Sequence, residues 1–373
     1  MNAKSLTTLT AVTVAAFAAA FVASRGNGSS SDAATTVEAY PDFTERVNDV
    51  AEVEVFSAGM TSTVKKSEDG WNLMEKGGYP VKVEQVREAI VRLSKFEVIE
   101  PKTSRPENFE ALGLQDPETE DAASKRVVLR DASGAEIASL ILGNTKFFGR
   151  QPTIFVRPTD SNQTYHCEGR VTLESDPLKW IDREVLKLDA NRVMRVVIEH
   201  PDGDVVRLER EGDTGDYKVQ DIPEGMQETY RGTSNSTATA LSFLRMDDIL
   251  PRNEIDFSIE PVAKATYYCE DGLVIALELS RVDEKVWAGV NAIFEKPTTA
   301  EGEEDVSVTE EELKEAEVEA RGLQRTFDRW AYHLPDFKVT AIAKKTSDLI
   351  TEIPDPTEDT GEEGLMPEAG QDQ

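Results

Sequence analysis

Three histidines are the residues of this chain best suited to acid–base or metal chemistry near neutral pH. They are His166, His200 and His333, and long stretches of sequence separate them. A zinc site needs paired ligands at short spacing, such as two histidines or cysteines a few residues apart. The histidine pattern therefore predicts no metal site.

Acidic residues are abundant, and two short motifs hold them at a spacing that calcium sites use. These motifs are Asp202-Gly203-Asp204 and Asp213-Thr214-Gly215-Asp216, and neither belongs to a twelve-residue loop with a terminal glutamate. The favoured interpretation is that both are hairpin turns. Because 71 of the 373 residues are acidic, carboxylate pairs occur throughout, and a glycosidase pair cannot be singled out.

The motifs of several large enzyme classes are missing from the sequence. It contains no Gly-x-Ser-x-Gly elbow, no Walker phosphate loop and no Gly-x-Gly-x-x-Gly fingerprint. Leu142-Gly143-Asn144 resembles the entry to a loop, and Gly143 is predicted to supply a turn geometry. We therefore predict no catalytic, cofactor-binding or metal-binding residues, and no cofactor.

The two cysteines of the chain are Cys167 and Cys269. An even number of cysteines in an exported protein permits one disulfide. Both cysteines stand where a strand is predicted to end before a turn. We favour two separate buried thiols, because a disulfide requires Cα atoms within about 7 Å and nothing in the sequence brings these two together.

The elements that position these residues begin after an apolar N-terminal segment. Lys4 precedes an uncharged run from Leu6 to Ala23, which Arg25 closes. A helix of this length spans about 27 Å, close to the hydrocarbon core of a bilayer. Residues 1–25 are predicted to be a single-pass anchor in the cell membrane, with the body on the extracytoplasmic (periplasmic) side. A signal peptide cleaved at Val22-Ala23-Ser24 is the alternative.

Polar and acidic segments flank the predicted body. Residues 26–48 are mostly small and polar and are predicted to be a flexible linker. The tail 350–373 has almost nothing to bury and is predicted to be disordered and dispensable for folding. Acidic residues outnumber basic ones by 71 to 41, and the resulting field repels nucleic acid and anionic lipid as partners. A saline habitat and a cationic partner would both give this bias.

The alternation of strand, turn and helix signals predicts an α+β fold of two tandem similar units, 49–190 and 191–349. Short turns between strands favour antiparallel sheets, because parallel pairs need crossovers of a dozen or more residues. Each unit starts with short strands, continues with an amphipathic helix and further strands, and ends on a helix. We favour an internal duplication. The alternative is two ordinary α+β domains that share common features.

Individual elements can also be placed. Helices are predicted at Val83–Lys95, Leu173–Lys187 and Ser236–Met246, with a fourth that carries Trp330, and the last strand is predicted at Phe337–Ala343. Trp71, Trp180 and Trp330 are predicted to be core residues.

The helix that carries Trp330 follows an acidic insertion, residues 297–312. Ser307 and Glu310 match a capping box at its start. Its apolar residues fall on one face, which predicts packing on its own sheet, with a partner-binding helix as the alternative.

The order of several markers resembles a bacterial family. The markers are Trp71-Asn72-Leu73, an amphipathic helix, Phe109-Glu110-Ala111-Leu112-Gly113-Leu114, Leu142-Gly143, and Trp180 before Val185-Leu186-Lys187-Leu188. They resemble the family called domain of unknown function 4340 over about Val50 to Glu199, and weakly beyond. The resemblance implies an N-terminally anchored envelope protein. Some members are encoded beside ABC transporters resembling those of gliding motility, which implies an accessory role, and the family carries no established catalytic residues.

We therefore expect a non-catalytic, membrane-anchored envelope protein rather than an enzyme. It would act as an interaction or accessory subunit whose partner is a protein, such as the membrane components of an ABC transporter. The second hypothesis is an exported module that binds glycan, peptide or lipid, and the third is a hydrolase with a site of dispersed carboxylates. An enzyme should expose a cleft with convergent groups, whereas an interaction protein should expose an apolar patch or a sheet edge.

Overall fold

The computed structural model describes residues 43–118, 122–212, 215–297 and 308–354. The chain divides into two compact units between Ile181 and Asp182, slightly before the predicted boundary at 190. The predicted anchor, residues 1–25, lies outside the described residues. Within the described ranges, no helix is long and apolar enough to cross a membrane.

A nine-stranded antiparallel sheet forms the first unit. Val53 lies opposite Val64 on one neighbouring strand and Leu129 on the other, and all three side chains are buried, so this face of the sheet carries core. The order across the sheet is β4-β3-β2-β1-β6-β7-β8-β9-β5. Its strands are β1 (Val50–Ser57), β2 (Met60–Ser67), β3 (Gly70–Leu73), β4 (Tyr79–Pro80), β5 (Glu97–Pro101), β6 (Lys125–Asp131), β7 (Glu136–Phe148), β8 (Gln151–Pro158) and β9 (Tyr165–Glu168).

The described residues of this unit form three α-helices. They are α1 (Phe43–Arg46), α2 (Val83–Ser94) and α3 (Phe109–Leu112). The helix predicted at Val83–Lys95 is confirmed, and its buried residues recur at helical spacing, as an amphipathic helix packed on a core requires. The predicted linker extends too far, because α1 falls within it and the Phe43 side chain is buried.

The second unit contains an eight-stranded antiparallel sheet and two small two-stranded sheets. The large sheet has the order β13-β12-β11-β17-β18-β19-β20-β16, and the small ones pair β10 with β15 and β14 with β21. Mostly antiparallel sheets with a few short helices are therefore the architecture of the chain. The strands are β10 (Glu184–Leu186), β11 (Val193–Glu199), β12 (Val205–Arg210), β13 (Tyr217–Val219), β14 (Met226–Glu228), β15 (Leu244–Arg245), β16 (Asp248–Pro251), β17 (Pro261–Cys269), β18 (Leu273–Val282), β19 (Lys285–Phe294), β20 (Trp330–His333) and β21 (Ile350–Glu352).

The longest helix of the second unit packs on its own sheet, as predicted. The helices here are α4 (Asn235–Ala238), α5 (Glu310–Phe327), α6 (Asp336–Ile342) and α7 (Thr346–Leu349). Helix α5 lies on β19 and β18, and Arg192 binds both Asp271 and Glu319 to hold it there. Its capping box is formed by Thr309 and Glu312 instead of Ser307 and Glu310. Ser307 and most of the predicted insertion 297–312 lie outside the described residues.

Several predicted elements near the unit ends are wrong. The segment Leu173–Lys187 contains only a 3-10 turn at Pro177–Lys179 and strand β10, not a helix. Trp330 begins strand β20, after α5 has ended, and the predicted strand Phe337–Ala343 is helix α6. The predicted helix Ser236–Met246 is divided into α4, a 3-10 turn and strand β15.

The burial of the three tryptophans is confirmed. Trp71, Trp180 and Trp330 are all buried. The Trp180 indole Nε1 donates a hydrogen bond of 2.7 Å to the Glu174 carbonyl oxygen, so its polar atom is satisfied inside the core.

The predicted tail 350–373 starts too early. Ile350 is buried, and β21 pairs with β14 in three register positions. Residues 355–373 lie outside the described part, so this part of the prediction is untested.

Candidate functional site

The three histidines lie in separate surroundings. His166 is on β9, with its Nδ1 atom 3.4 Å from the Glu100 carboxylate. The Nε2 atom of His200 is 3.1 Å from the Lys344 carbonyl oxygen, and His333 lies on β20. Among the described residues, no three His, Cys, Asp or Glu side chains come close enough to hold a metal ion.

The Asp202-Gly203-Asp204 motif forms the hairpin turn between β11 and β12, as predicted. Its acids hold helix α7: Asp202 pairs with Lys345, and Asp204 accepts hydrogen bonds from the Thr346 amide (2.9 Å) and hydroxyl (2.6 Å). The bond from Lys345 lowers the pKa of Asp202. Burial acts to raise the pKa of Asp204, but the two bonds from Thr346 outweigh it and the net shift is downward. These carboxylates are occupied by structural contacts.

The second acidic motif has a similar role where it is described. Asp216 accepts hydrogen bonds from the Asn235 amide nitrogen (2.9 Å) and from Arg231 Nε (2.8 Å). These bonds lower the pKa of Asp216. Asp213 lies outside the described residues.

Both cysteines are buried free thiols. Cys167 lies on β9 and Cys269 at the end of β17. Burial raises the pKa of each thiol to about 12, which keeps both protonated and poorly reactive at neutral pH.

One contact that the sequence did not reveal has the composition of a nucleophile–base pair. Lys344 Nζ donates to the Ser236 hydroxyl at 3.0 Å and to the Thr233 carbonyl oxygen at 3.3 Å. A neutral lysine can activate a serine. Here the two bonds join α4 to the segment after α6, so the contact has a structural role. Sequence reasoning could not find it, because more than a hundred residues separate the two side chains.

Two markers of the family resemblance meet in the first unit. Helix α3 ends at Gly113, which adopts a left-handed φ of 67°. Gly143 lies on β7 beside it, and a Cβ there would be 2.5 Å from the Leu112 carbonyl oxygen. Gly143 therefore permits close approach of backbones, and the predicted turn role is wrong. The register of the β7–β8 pair shifts between Leu142 and Thr145, the interval that contains Gly143.

A small core cluster fixes the base of the β7–β8 hairpin. Its buried members are Phe109 and Leu114, from α3 and the residues after it, and Ile141 and Phe155, from the two strands. The Arg157 guanidinium covers the Phe109 ring at 4.7 Å. The hairpin is thus anchored on both strands where it leaves the sheet.

The far end of this hairpin is the most exposed aromatic site among the described residues. We call residues Lys146–Gln151 the hairpin tip. Phe147 is 66% exposed and Phe148 is 75% exposed. Gly149, with φ of 65°, and Arg150 form the two-residue turn. Two neighbouring phenylalanines at this level of exposure form an apolar contact element.

The charge at the tip is opposite to that of the chain as a whole. Between Glu136 and Asp160 the sequence has no acidic residue, although the chain carries a net charge of −30. Lys146 and Arg150 flank the two phenylalanines in the sequence and are both exposed, and the Lys146 ammonium lies 5.2 Å from the centroid of the Phe155 ring. Sequence reasoning missed this site, although two adjacent phenylalanines before a Gly-Arg turn, in an acid-free segment, were a readable signal.

The sequence model of the family described as Domain of unknown function (DUF4340) matches residues 71–266, just over half of the chain. The chain belongs to this family. No curated protein matches the sequence significantly.

The DUF4340 match begins later than the resemblance read from the markers, which starts at about Val50, and extends further into the second unit. It begins in β3 of the first unit and ends within β17 of the second, so it covers parts of both units. The α3–β7 contact and the hairpin tip lie inside the matched range. The DUF4340 description names no activity, ligand or partner.

Proposed function

We propose that the chain is a non-catalytic, membrane-anchored envelope protein that works through contacts with other components. The hairpin tip carries this proposal. It is an apolar, locally basic element that the described residues leave uncovered, and this is the feature expected of an interaction protein.

The residues suited to catalysis support the same proposal. The described acids of the two turn motifs, Asp202, Asp204 and Asp216, are held by structural contacts, and the two thiols are buried. The three histidines lie in three different surroundings. A reaction needs such groups to converge on one substrate position.

The proposed location is the extracytoplasmic face of the cell membrane. Support comes from the uncharged run Leu6–Ala23, which is long enough to span a hydrocarbon core as a helix. The described body begins at Phe43, a short distance along the chain. A single anchor of this kind would keep the first unit close to the bilayer.

The proposed role is that of an accessory subunit of a membrane complex. The chain belongs to the DUF4340 family, and the resemblance to this family implies an accessory role beside ABC transporters. We therefore propose the membrane components of an ABC transporter as the partner. The alternative, an exported module for glycan, peptide or lipid, would use the same exposed tip or a surface groove.

We also infer that the two units are copies of one ancestral unit. Without β4, the order β3-β2-β1-β6-β7-β8-β9-β5 corresponds strand for strand to β13-β12-β11-β17-β18-β19-β20-β16. Strand β5 follows α2, and β16 follows α4 and the short β15; each of these two strands joins the far edge of the large sheet of its unit. Trp71 and Tyr217 hold corresponding places on the third strand.

Co-purification from gently solubilised membranes tests the proposed role. We expect the full chain, tagged at its C-terminus, to retain integral membrane proteins in a fixed ratio. Phe243 is 58% exposed and lies outside the tip. The Phe243→Ser variant should retain the same membrane proteins as the parent chain, which would show that they are not held by nonspecific adhesion to this phenylalanine. A chain that purifies alone and hydrolyses a glycan or peptide would contradict the proposal.

A further inference from the structure

The hairpin tip projects beyond the sheet that carries it. The pairing of β7 with β6 ends at Leu142, and the pairing of β8 with β9 ends at Thr153. Phe148 lies six residues beyond Leu142, and its partner Gln151 lies two residues before Thr153. The tip therefore extends roughly 20 Å past β6 and roughly 7 Å past β9. Neither strand of the hairpin has another strand beside it in the tip region.

The two phenylalanines point to opposite faces of the hairpin. Adjacent residues of a strand alternate between faces. Phe147 lies opposite Pro152 in the register, and Phe148 lies opposite Gln151. A partner protein that covered one face would leave the other ring in water. A medium that surrounds the tip covers both rings at once.

The charges around the rings fit an anionic surface. Lys146 and Arg150 are exposed on either side of the two phenylalanines, and Arg157 is the only other charged residue between Glu136 and Asp160. By register, Glu168 lies opposite Thr153 at the base of the tip, on the sheet side of the rings. Aromatic rings flanked by Lys and Arg are the composition of elements that lie in a lipid headgroup region.

The tip belongs to the unit that the anchor would tether. Residues 26–42 separate the predicted anchor, residues 1–25, from the first described residue, Phe43. Seventeen residues reach at most about 60 Å when fully extended. This length would allow the first unit to touch the bilayer that the proposed anchor spans.

We propose that the hairpin tip inserts its two phenylalanines into the headgroup region of the same bilayer, with Lys146 and Arg150 bound to anionic phospholipid. This proposal rests on the proposed membrane-anchored function. The acidic remainder of the molecule would be repelled by the same surface, so the tip would set which side of the first unit faces the membrane. A membrane-spanning anchor alone would retain the chain at the bilayer, so the contact of the tip would orient the first unit without being needed for retention.

The test measures the surroundings of the tip in the full chain. Phe148→Cys introduces one accessible thiol, because Cys167 and Cys269 are buried and the pKa of each is raised to about 12. A polarity-sensitive fluorophore on this thiol is compared in vesicles of phosphatidylcholine alone and of phosphatidylcholine mixed with phosphatidylglycerol. Val318→Cys is the matched control, since Val318 is 69% exposed on helix α5.

We expect the label at position 148 to shift to shorter emission wavelength and to be quenched by nitroxide-bearing lipid. The effect should be stronger with phosphatidylglycerol, and Val318→Cys should show neither change. Lys146→Glu combined with Arg150→Glu should remove the dependence on phosphatidylglycerol. Both residues are exposed, so the double variant should fold normally.

Two results would overturn the lipid proposal. One is a label at position 148 that stays as accessible to iodide as the label at position 318 in both vesicle types. The other is a label that becomes shielded only in native membranes, which would assign the tip to a protein partner. Co-purification of a membrane complex is independent of both results, so the lipid contact can fail while the accessory function stands.

Discussion

At the scale of single residues, Gly143 fixes how closely helix α3 approaches strand β7. Gly143→Ala would place a methyl group 2.5 Å from the Leu112 carbonyl oxygen and 2.9 Å from that of Gly113. Both contacts are with backbone atoms, which cannot rotate away as a side chain can. We expect the variant to lower the free energy of unfolding by about 1–3 kcal/mol, measured by urea denaturation.

The matched control for this prediction is Gly322→Ala on helix α5. No heavy atom lies within 4 Å of a Cβ built at Gly322. Alanine is the better helix former, so the control should raise the free energy of unfolding by roughly 0.5–1 kcal/mol. If Gly143→Ala is as stable as the parent protein, the helix and strand do not meet as closely as described.

The lowered pKa of His333 predicts that this residue makes the folded protein less stable at acidic pH. Burial lowers the pKa of His333, and Lys285 acts in the same direction, whereas three nearby aspartates oppose them without reversing the shift. The unfolded chain therefore takes up a proton near pH 6.5, at a pH where the folded chain does not. Stability from the neutral ring is complete above this pH and is lost as the pH falls through it.

The measurement is the pH dependence of the free energy of unfolding between about pH 7 and pH 5.5. We expect His333→Gln to make this dependence less steep than in the parent. The His333 ring packs against Trp287 at a tilt of 45°, with ring centroids 5.6 Å apart, so the tryptophan fluorescence of the protein gives a second readout. Identical slopes for the two proteins would show that His333 titrates alike in the folded and unfolded chains.

At the scale of elements, the strands and hairpins could be predicted because their signals are local. Segments fixed by distant contacts could not. In Leu173–Lys187, apolar residues recur at a helix-like spacing, but the Ser62 hydroxyl binds the Ser175 carbonyl oxygen at 2.8 Å and holds an irregular backbone. Asp176 before Pro177 was the readable sign of a short turn, and the Asp176 side chain caps that turn.

The last predicted strand failed for a related reason. Phe337, Val339 and Ala341 alternate with polar residues, which is typical of a half-buried strand. The preceding Pro335 and Asp336 are a helix start signal, and the segment forms α6. Over seven residues the two patterns overlap, and only packing in the folded chain decides between them.

The end of the second unit provides a prediction about strand β21. A chain ending at Leu349 loses the pairing of β21 with β14 and the buried Ile350 side chain. Burying an isoleucine contributes about 1.5–3 kcal/mol, so the melting temperature should fall by roughly 3–12 °C. A chain ending at Pro354 keeps the strand and should melt with the parent. Equal melting of both shortened chains would mean that β21 contributes nothing to stability.

At the scale of the whole molecule, the pairing of strands that are distant in the sequence could not be predicted. Strand β5 pairs with β9, and β16 pairs with β20, although many residues separate the partners in each case. Hairpin turns specify neighbours along the chain, but nothing local specifies which edge a later strand joins. The candidate site likewise has one part that the sequence shows and another that depends on strand pairing. The residues of the tip are readable in the sequence, whereas their projection beyond the sheet depends on where β6 and β9 end.

Charge is the other property of the whole molecule. Ion pairs bring some opposite charges together, as Arg130 does with Glu52 and Glu54. Such pairs are local, and exposed pairs contribute little to stability. The chain still carries a net charge of −30, and its excess acidic residues repel one another in the folded protein.

Salt should therefore stabilise this protein at neutral pH. Ions screen charges beyond about 10 Å at 0.1 M, which weakens repulsion between distant acids more than attraction within close pairs. We expect the melting temperature to rise between about 10 mM and 150 mM sodium chloride, and equally with potassium chloride, because screening depends on ionic strength. Near the isoelectric point of about 4.5 the rise should vanish, since the net charge is then close to zero. A melting temperature that falls with salt at neutral pH would mean that the ion pairs outweigh the net repulsion.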